Sequence, residues 1–158
     1  MEEIPSVRPQ LPAGVPNYIT KAGADRLRQR LNELLEKKRS WVSARHEGGT
    51  ATDIEQRNME SGIRALQQIL DSVIIAAIPA DTQKVAFGAT VMLRHQNGVE
   101  EAYKIVGVEE TDPERGEISW ISPLARALLG RRARDKVRFS SPAGSEELTI
   151  LHVGQDLV

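Results

Sequence analysis

The chain has no cysteine, which excludes disulfide scaffolds, thiolate zinc sites, iron–sulfur clusters and cysteine nucleophiles. Aromatic residues are scarce at 4%, against 27% charged residues, the balance of a charge-rich chain with substantial helix. There is no excess of either sign: 21 Lys and Arg face 22 Asp and Glu, for a net charge of −1. A whole-surface electrostatic grip on nucleic acid is thereby excluded, although local basic faces remain. No apolar run is long enough to span a bilayer; the longest, Val73 to Pro79, falls far short. Met1-Glu2-Glu3 opens without an apolar signal core, so cytoplasm is the expected location. Catalytic signatures are missing as well, with no P-loop, no G-x-G-x-x-G, no H-E-x-x-H and no G-x-S-x-G. His46, His95 and His152 are too scattered along the chain to suggest a metal site.

What is present divides into three parts and a short linker. Residues 1–17 hold four of the eight prolines and read as a flexible arm. From Tyr18 the pattern turns helical. Thr20 suits an N-cap, and Leu27, Leu31, Leu34, Lys38, Trp41 and Arg45 step alternately by four and three, a coiled-coil seam. Residues 20–47 carry eight basic against four acidic side chains, with charge pairs such as Glu33 and Lys37 at i, i+4. Gly48-Gly49-Thr50-Ala51 breaks the helix, and Thr52-Asp53-Ile54-Glu55 reads as a capping box opening a second one. Its seam runs through Met59, Ile63, Leu66, Leu70, Val73 and Ala77. Two such helices joined by a glycine turn fold back on each other, and the spacing predicts an antiparallel coiled-coil hairpin over residues 18–78. At about 1.5 Å per residue each arm would be roughly 35–40 Å long.

Residues 79–84 form the linker, and β-type patterning follows over 85–158. Val85-Ala86-Phe87, Thr90 to Leu93, Ala102 to Val106, Ile118 to Trp120, Val137 to Phe139 and Glu147 to Val153 read as strands. Asn97-Gly98 is a hairpin signal. Ser122-Pro123 opens a short helix from Leu124 to Leu129 that Gly130 ends. The fold class is therefore α+β.

Two features could carry function. Arg131, Arg132, Arg134, Lys136 and Arg138 make a dense cationic cluster just after the short helix, which itself carries Arg126. Either a solvated surface or a partner-docking patch fits that pattern. Asp53 and Glu55 lie at the end of the predicted hairpin with Glu47 nearby. Hard cations take carboxylate oxygens, yet acidic groups in a first helical turn also complement the macrodipole, and Glu55 has a capping role.

Val85-Ala86-Phe87-Gly88-Ala89-Thr90-Val91, Tyr103-Lys104-Ile105-Val106-Gly107 and Ile118-Ser119-Trp120-Ile121-Ser122-Pro123-Leu124-Ala125-Arg126-Ala127-Leu128-Leu129-Gly130 stand in this order, followed by Asp135-Lys136-Val137 and Ser141-Pro142-Ala143-Gly144. This series resembles the C-terminal domain of the bacterial GreA/GreB transcript cleavage factors. Tyr18-Ile19-Thr20, Gly23 and the Leu27/Leu31 helix resemble the family's opening. The resemblance implies a coiled-coil finger and a small FKBP-like antiparallel β domain with a short helix. It also implies a docking role for that domain on RNA polymerase, through Arg126, Arg131, Arg132 and Arg134, with the finger entering the secondary channel. In such factors tip carboxylates help retain a second magnesium ion, and polymerase is the catalyst. No cofactor of the chain's own is implied, and contact with RNA or DNA would be indirect, within the elongation complex.

The tip departs from the family pattern. Where the family has Gly-Asp, two further residues and Glu-Asn-Ala-Glu-Tyr, this chain has Gly49-Thr50-Ala51-Thr52-Asp53-Ile54-Glu55-Gln56-Arg57-Asn58. The arms are about five residues shorter than the family's, a loss of roughly 7–8 Å of reach. The expectation is a polymerase-binding elongation regulator with weak or no stimulation of cleavage, and no residue carries over as catalytic. The alternatives are a genuine cleavage factor using Asp53 and Glu55, or an interaction module like the short-fingered Rnk type. A peptidyl-prolyl isomerase, suggested by the β domain, is opposed by the shortage of rings to line a proline pocket.

Overall fold

In the computed structural model the described residues are 11–46 and 53–155. The first ten residues of the proline-containing arm, Glu47, and the Gly48–Thr52 segment with its half of the expected capping box lie outside them. The chain divides into two units, Lys21–Val73 and the remainder, and each is described by itself.

The first unit holds helix α1, Lys21–His46, and helix α2, Asp53–Ser72. At about 1.5 Å per residue they are about 39 and 30 Å long. The α2 seam is buried at Met59, Ile63 and Leu66, and Leu27, Leu31, Leu34, Leu35 and Trp41 are half-buried on α1. The two helices pack tightly: a Cβ added at Gly62 would meet Leu34 Cδ1 at 3.6 Å. Lys38, placed on the seam by its spacing, is exposed, and Leu35 takes part in its stead. Lys37 lies 5.6 Å above the Trp41 ring rather than against Glu33, which accepts from Gln29 at 3.4 Å. The second helix stops five residues before Ala77. Val73-Ile74-Ile75 is β-branched throughout, favours extended backbone, and forms strand β2 beside strand β1 at Asn17–Ile19, both strands apart from Val73 belonging to the second unit. The Ala76 N–H donates to the Ile19 carbonyl at 3.0 Å. Asn17 thus begins a strand rather than ending the arm.

The second unit is built on five strands: β3 (Ala89–Arg94), β4 (Glu100–Val106), β5 (Glu117–Ser119), β6 (Lys136–Ser141) and β7 (Gly144–Gln155). Their order is β5-β4-β3-β7-β6. All neighbours run antiparallel except β4 and β5, which are parallel and joined through two short 3₁₀ turns at Val108–Glu110 and Pro113–Arg115. The α+β class holds, with this one parallel pair as the departure from a wholly antiparallel sheet. Gly98 at φ +85 makes the β3–β4 turn that Asn97-Gly98 predicts. Val85-Ala86-Phe87 is not a strand: Val85 is buried in the core, and the chain turns at Phe87-Gly88.

Alternation along the strands turns Val91, Leu93, Ile105, Val137, Leu148 and Ile150 to one face. Helix α3, Pro123–Leu128, closes over them with Ala125 and Leu128, both fully buried. Ser122 caps it by accepting the Ala125 N–H at 3.3 Å, and Pro123 occupies the first turn. Among the described residues no helix is long and apolar enough to cross a membrane.

Candidate functional site

The end of α3 determines where the cationic cluster lies. The Gly130 N–H donates to the Val85 carbonyl at 2.8 Å, and the Val85 N–H to the Arg131 carbonyl at 2.7 Å. These bonds tie the loop after α3 to the residues before β3, and a bridge between Lys84 and Arg132 continues the tie. The 79–84 linker is thus attached at its far end. Arg126, Arg131 and Arg132 are all exposed. The Arg132 guanidinium pairs with Asp81, whose carboxyl is held below its ordinary pKa first by the Gln83 N–H and then by Arg132. Arg134 is drawn elsewhere. Its φ of +75 turns it onto the outer face of the sheet, beside Arg94, Thr149 and His152. The four arginines grouped by sequence proximity thus belong to two surfaces.

Asp53 and Glu55 open α2, and both are exposed. Two residues along a helix of 3.6 per turn is a rotation of about 200°, so the two carboxylates leave on different sides. Among the described residues no three His, Asp or Glu side chains gather so as to hold a metal.

His95 is embedded in charge. Its Nδ1 lies 2.9 Å from Glu146 Oε1 and its Nε2 3.1 Å from Glu101 Oε2, while the Tyr103 hydroxyl donates to Glu101. A ring facing carboxylates with both nitrogens donates twice only as imidazolium. Burial opposes that charge, but the hydrogen bonds and charges of Glu146 and Glu101 outweigh it, and the pKa of His95 is raised. Glu101 is lowered, first by the Tyr103 hydroxyl and then by His95. Burial, then Glu101, pushes the Tyr103 phenol up to about 12. The His95 contribution to stability is therefore complete below its ordinary value of 6.5 and lost as pH rises through the raised one. That of Glu101 is complete above 4.5 and lost as pH falls through the lowered value. His95→Gln is expected to cost about 0.5–1 kcal/mol near pH 5.5 and clearly less near pH 8.5. Thermal melts at the two pH values check this, and an equal loss at both would refute it.

With the helical pair, the capped α3 and the five-stranded sheet in place, the comparison with known proteins is specific. Residues 80–155 match the family described as "Transcription elongation factor, GreA/GreB, C-term". The transcription elongation factor GreB of Neisseria meningitidis serogroup B is 36% identical over 151 residues, covering 87% of this chain and 93% of its own. The chain belongs to the GreA/GreB family. Transcription elongation factor GreA of Chloroflexus aggregans is likewise 36% identical, over 152 residues, with 87% of this chain and 97% of its own covered. Among solved structures, Gfh1 of Thermus aquaticus has a TM-score of 0.43 at 24% identity, over 88% of this chain and 98% of that one.

For this GreA/GreB-type elongation factor the sequence reading missed two sets of residues. One is a buried knot in the β unit. The Glu110 carboxylate accepts from the Thr20 N–H at 3.0 Å, from the Thr20 hydroxyl and from the Gly107 N–H at 2.9 Å. The other is an aromatic cluster of Tyr18, Phe87 and Trp120, with ring centroids 5.3–6.4 Å apart. The family resemblance marks the segments containing Tyr18, Thr20, Phe87, Gly107 and Trp120 but not Glu110, and spacing along the chain does not bring Tyr18 to Trp120 or Thr20 to Glu110.

Proposed function

We propose that this elongation factor binds bacterial RNA polymerase through its C-terminal domain, inserts the helical pair into the secondary channel, and stimulates transcript cleavage weakly or not at all. The observation that carries the reading is family membership over nearly the whole chain, at 36% identity across 87% of its length. Docking is assigned to Arg126 on α3 and to the loop after it, where Arg131 and Arg132 are exposed and the backbone is pinned to Lys84-Val85, with Arg134 contributing from its own side. A preordered cationic loop steers association with an acidic partner without a large ordering cost. The factor is not itself a catalyst in this reading; any RNA cleavage is polymerase's own. Weak cleavage follows from the divergence of Asp53 and Glu55 on α2, since a two-metal centre needs its ligands convergent. Magnesium enters only as an ion of the polymerase active centre.

The test is a stalled, backtracked elongation complex incubated with the protein. No shortened RNA is expected, while pull-down shows binding. Robust cleavage abolished by Asp53→Ala or Glu55→Ala would convert the reading to a true cleavage factor. Failure to bind core polymerase at micromolar concentration would convert it to an interaction module acting elsewhere. Charge reversal of Arg131 and Arg134 together is expected to weaken binding about tenfold or more, against little change for the tip variants. Equal binding by the reversed protein would remove these arginines from the interface.

A further inference from the structure

Asn17, Asn32, Asn58 and Asn97 are the asparagines of the chain, and of these only Asn97 precedes a glycine. Asparagine is thermally labile because the backbone nitrogen of the next residue can attack its side-chain amide, and glycine leaves that nitrogen unhindered. Asn17 lies in β1, and Asn32 and Asn58 lie inside the two long helices, where main-chain bonding holds that nitrogen in place. Asn97 and Gly98 are both exposed in the β3–β4 turn, and a Cβ added at Gly98 would meet nothing within 4 Å. The turn nevertheless holds the reacting groups apart. The His95 N–H donates to the Val99 carbonyl at 2.8 Å and the Gly98 N–H to the His95 carbonyl at 2.9 Å, a three-residue loop ending on a left-handed glycine at φ +85. Asn97 Oδ1 accepts the Val99 N–H at 3.0 Å. The loop is fastened to β7 as well, since Glu146 Oε1 takes the Gln96 N–H at 3.3 Å and lies 2.9 Å from His95 Nδ1.

We propose that Asn97 is a site of spontaneous covalent modification, gated by the opening of this turn and latched by Glu146. Water competes for every bond of the exposed loop, so the loop opens by local fluctuation while the sheet stays folded. Opening releases the Gly98 N–H from the His95 carbonyl. The nitrogen then gives its proton to a solvent base and attacks Asn97 Cγ. An N–Cγ bond forms, the Cγ–Nδ2 bond breaks, and ammonia leaves after taking a proton from solvent. The product is a cyclic imide closed between the Asn97 side chain and the Gly98 nitrogen. Water opens it at either carbonyl. Attack at the side-chain carbonyl gives aspartate, and attack at the main-chain carbonyl gives isoaspartate. One water is consumed and one ammonia released, with no change of oxidation state. Either product alters the turn: aspartate sets a new negative charge near Glu146, and isoaspartate lengthens the main chain by one carbon in a loop whose length is matched to its strands.

The test is to incubate the full chain at neutral pH and physiological temperature, digest it, and map aspartate and isoaspartate by mass spectrometry and enzymatic methylation. Both products are expected at position 97, ahead of any change at Asn17, Asn32 or Asn58, and more slowly than in a free peptide spanning residues 93–101. Glu146→Ala unlatches the loop and should speed conversion about twofold to fivefold, the worth of a surface hydrogen bond or two. Gly98→Ala should lose most of the conversion, because its methyl group hinders the attacking nitrogen even though the left-handed backbone is strained. Circular dichroism confirms that both variants keep the sheet. Survival of Asn97 while the free peptide converts fully would overturn the site, as would earlier reaction at another asparagine. Equal rates in the parent, the Glu146→Ala variant and the peptide would overturn the gate. Undiminished conversion in Gly98→Ala would overturn attack by the backbone nitrogen. No readout involves polymerase, so this site and the docking loop stand or fall separately.

Discussion

Replacing Gly107 by alanine is expected to destabilise the β unit by roughly 3–5 kcal/mol, among the largest effects a single methyl group can have. The added carbon would lie 2.0 Å from the Tyr18 carbonyl oxygen and 3.2 Å from Glu110 Oε2. Both neighbours are constrained: Tyr18 belongs to β1, and Glu110 is buried and hydrogen-bonded to Gly107 itself. Neither can move aside without breaking those bonds. The backbone at Gly107 is ordinary, with φ −72 and ψ 162, so the need for glycine is one of space and not of conformation. Against a total stability of about 5–15 kcal/mol, such a loss leaves the fold marginal. Urea denaturation followed by Trp120 fluorescence measures it. Gly62→Ala is the internal control. It sits inside α2 with its nearest neighbour at an ordinary 3.6 Å, and there alanine should stabilise by about 0.5–1 kcal/mol through helix propensity. Loss at both positions, or at neither, would contradict this account.

Glu110→Ala should cost about 2–4 kcal/mol through the same knot. Glu110 is 8% exposed, and its carboxylate satisfies two backbone N–H groups and a hydroxyl at once. Truncation leaves the Gly107 N–H buried without that acceptor. Glu110→Gln keeps one oxygen for the two backbone donors and turns an amide toward the Thr20 hydroxyl, which can accept, so about half the loss is expected. Equilibrium unfolding of the pair of variants checks the ratio. If Ala and Gln lose equally, the charge matters rather than the acceptor geometry. Because Gly107 and Glu110 touch, their effects should fall short of additive in the double variant.

Much of the architecture was readable from local chemistry. Apolar spacing in Met59, Ile63 and Leu66 placed the buried stripe of α2 correctly, since helical period alone decides which residues share a face. Ser122 and Pro123 announced α3 because capping needs only neighbours in sequence. Asn97-Gly98 did the same for its turn. Spacing misplaced the end of α2: Val73 and Ala77 continue the heptad, but the chance for Val73-Ile74-Ile75 to pair with β1 is a tertiary matter. Glu33 and Lys37 illustrate the same limit, for the Trp41 ring competes for the lysine. The arginine cluster was seen as one patch because four charges lie within nine residues, yet the left-handed turn at Arg134 sends that side chain to another surface.

The linear order of residues therefore determined the family, the helical pair, the strand-rich C-terminal part and the divergent acids that open α2. These follow from periodicity, capping and motif spacing, which act over a few residues. Only the folded chain decided that β5 runs parallel to β4, that Glu110 holds Thr20 and Gly107, and that Arg134 and Arg132 serve different faces. Those contacts join groups as far as ninety positions apart, and nothing in local propensity can select among such distant partners until the core brings them together.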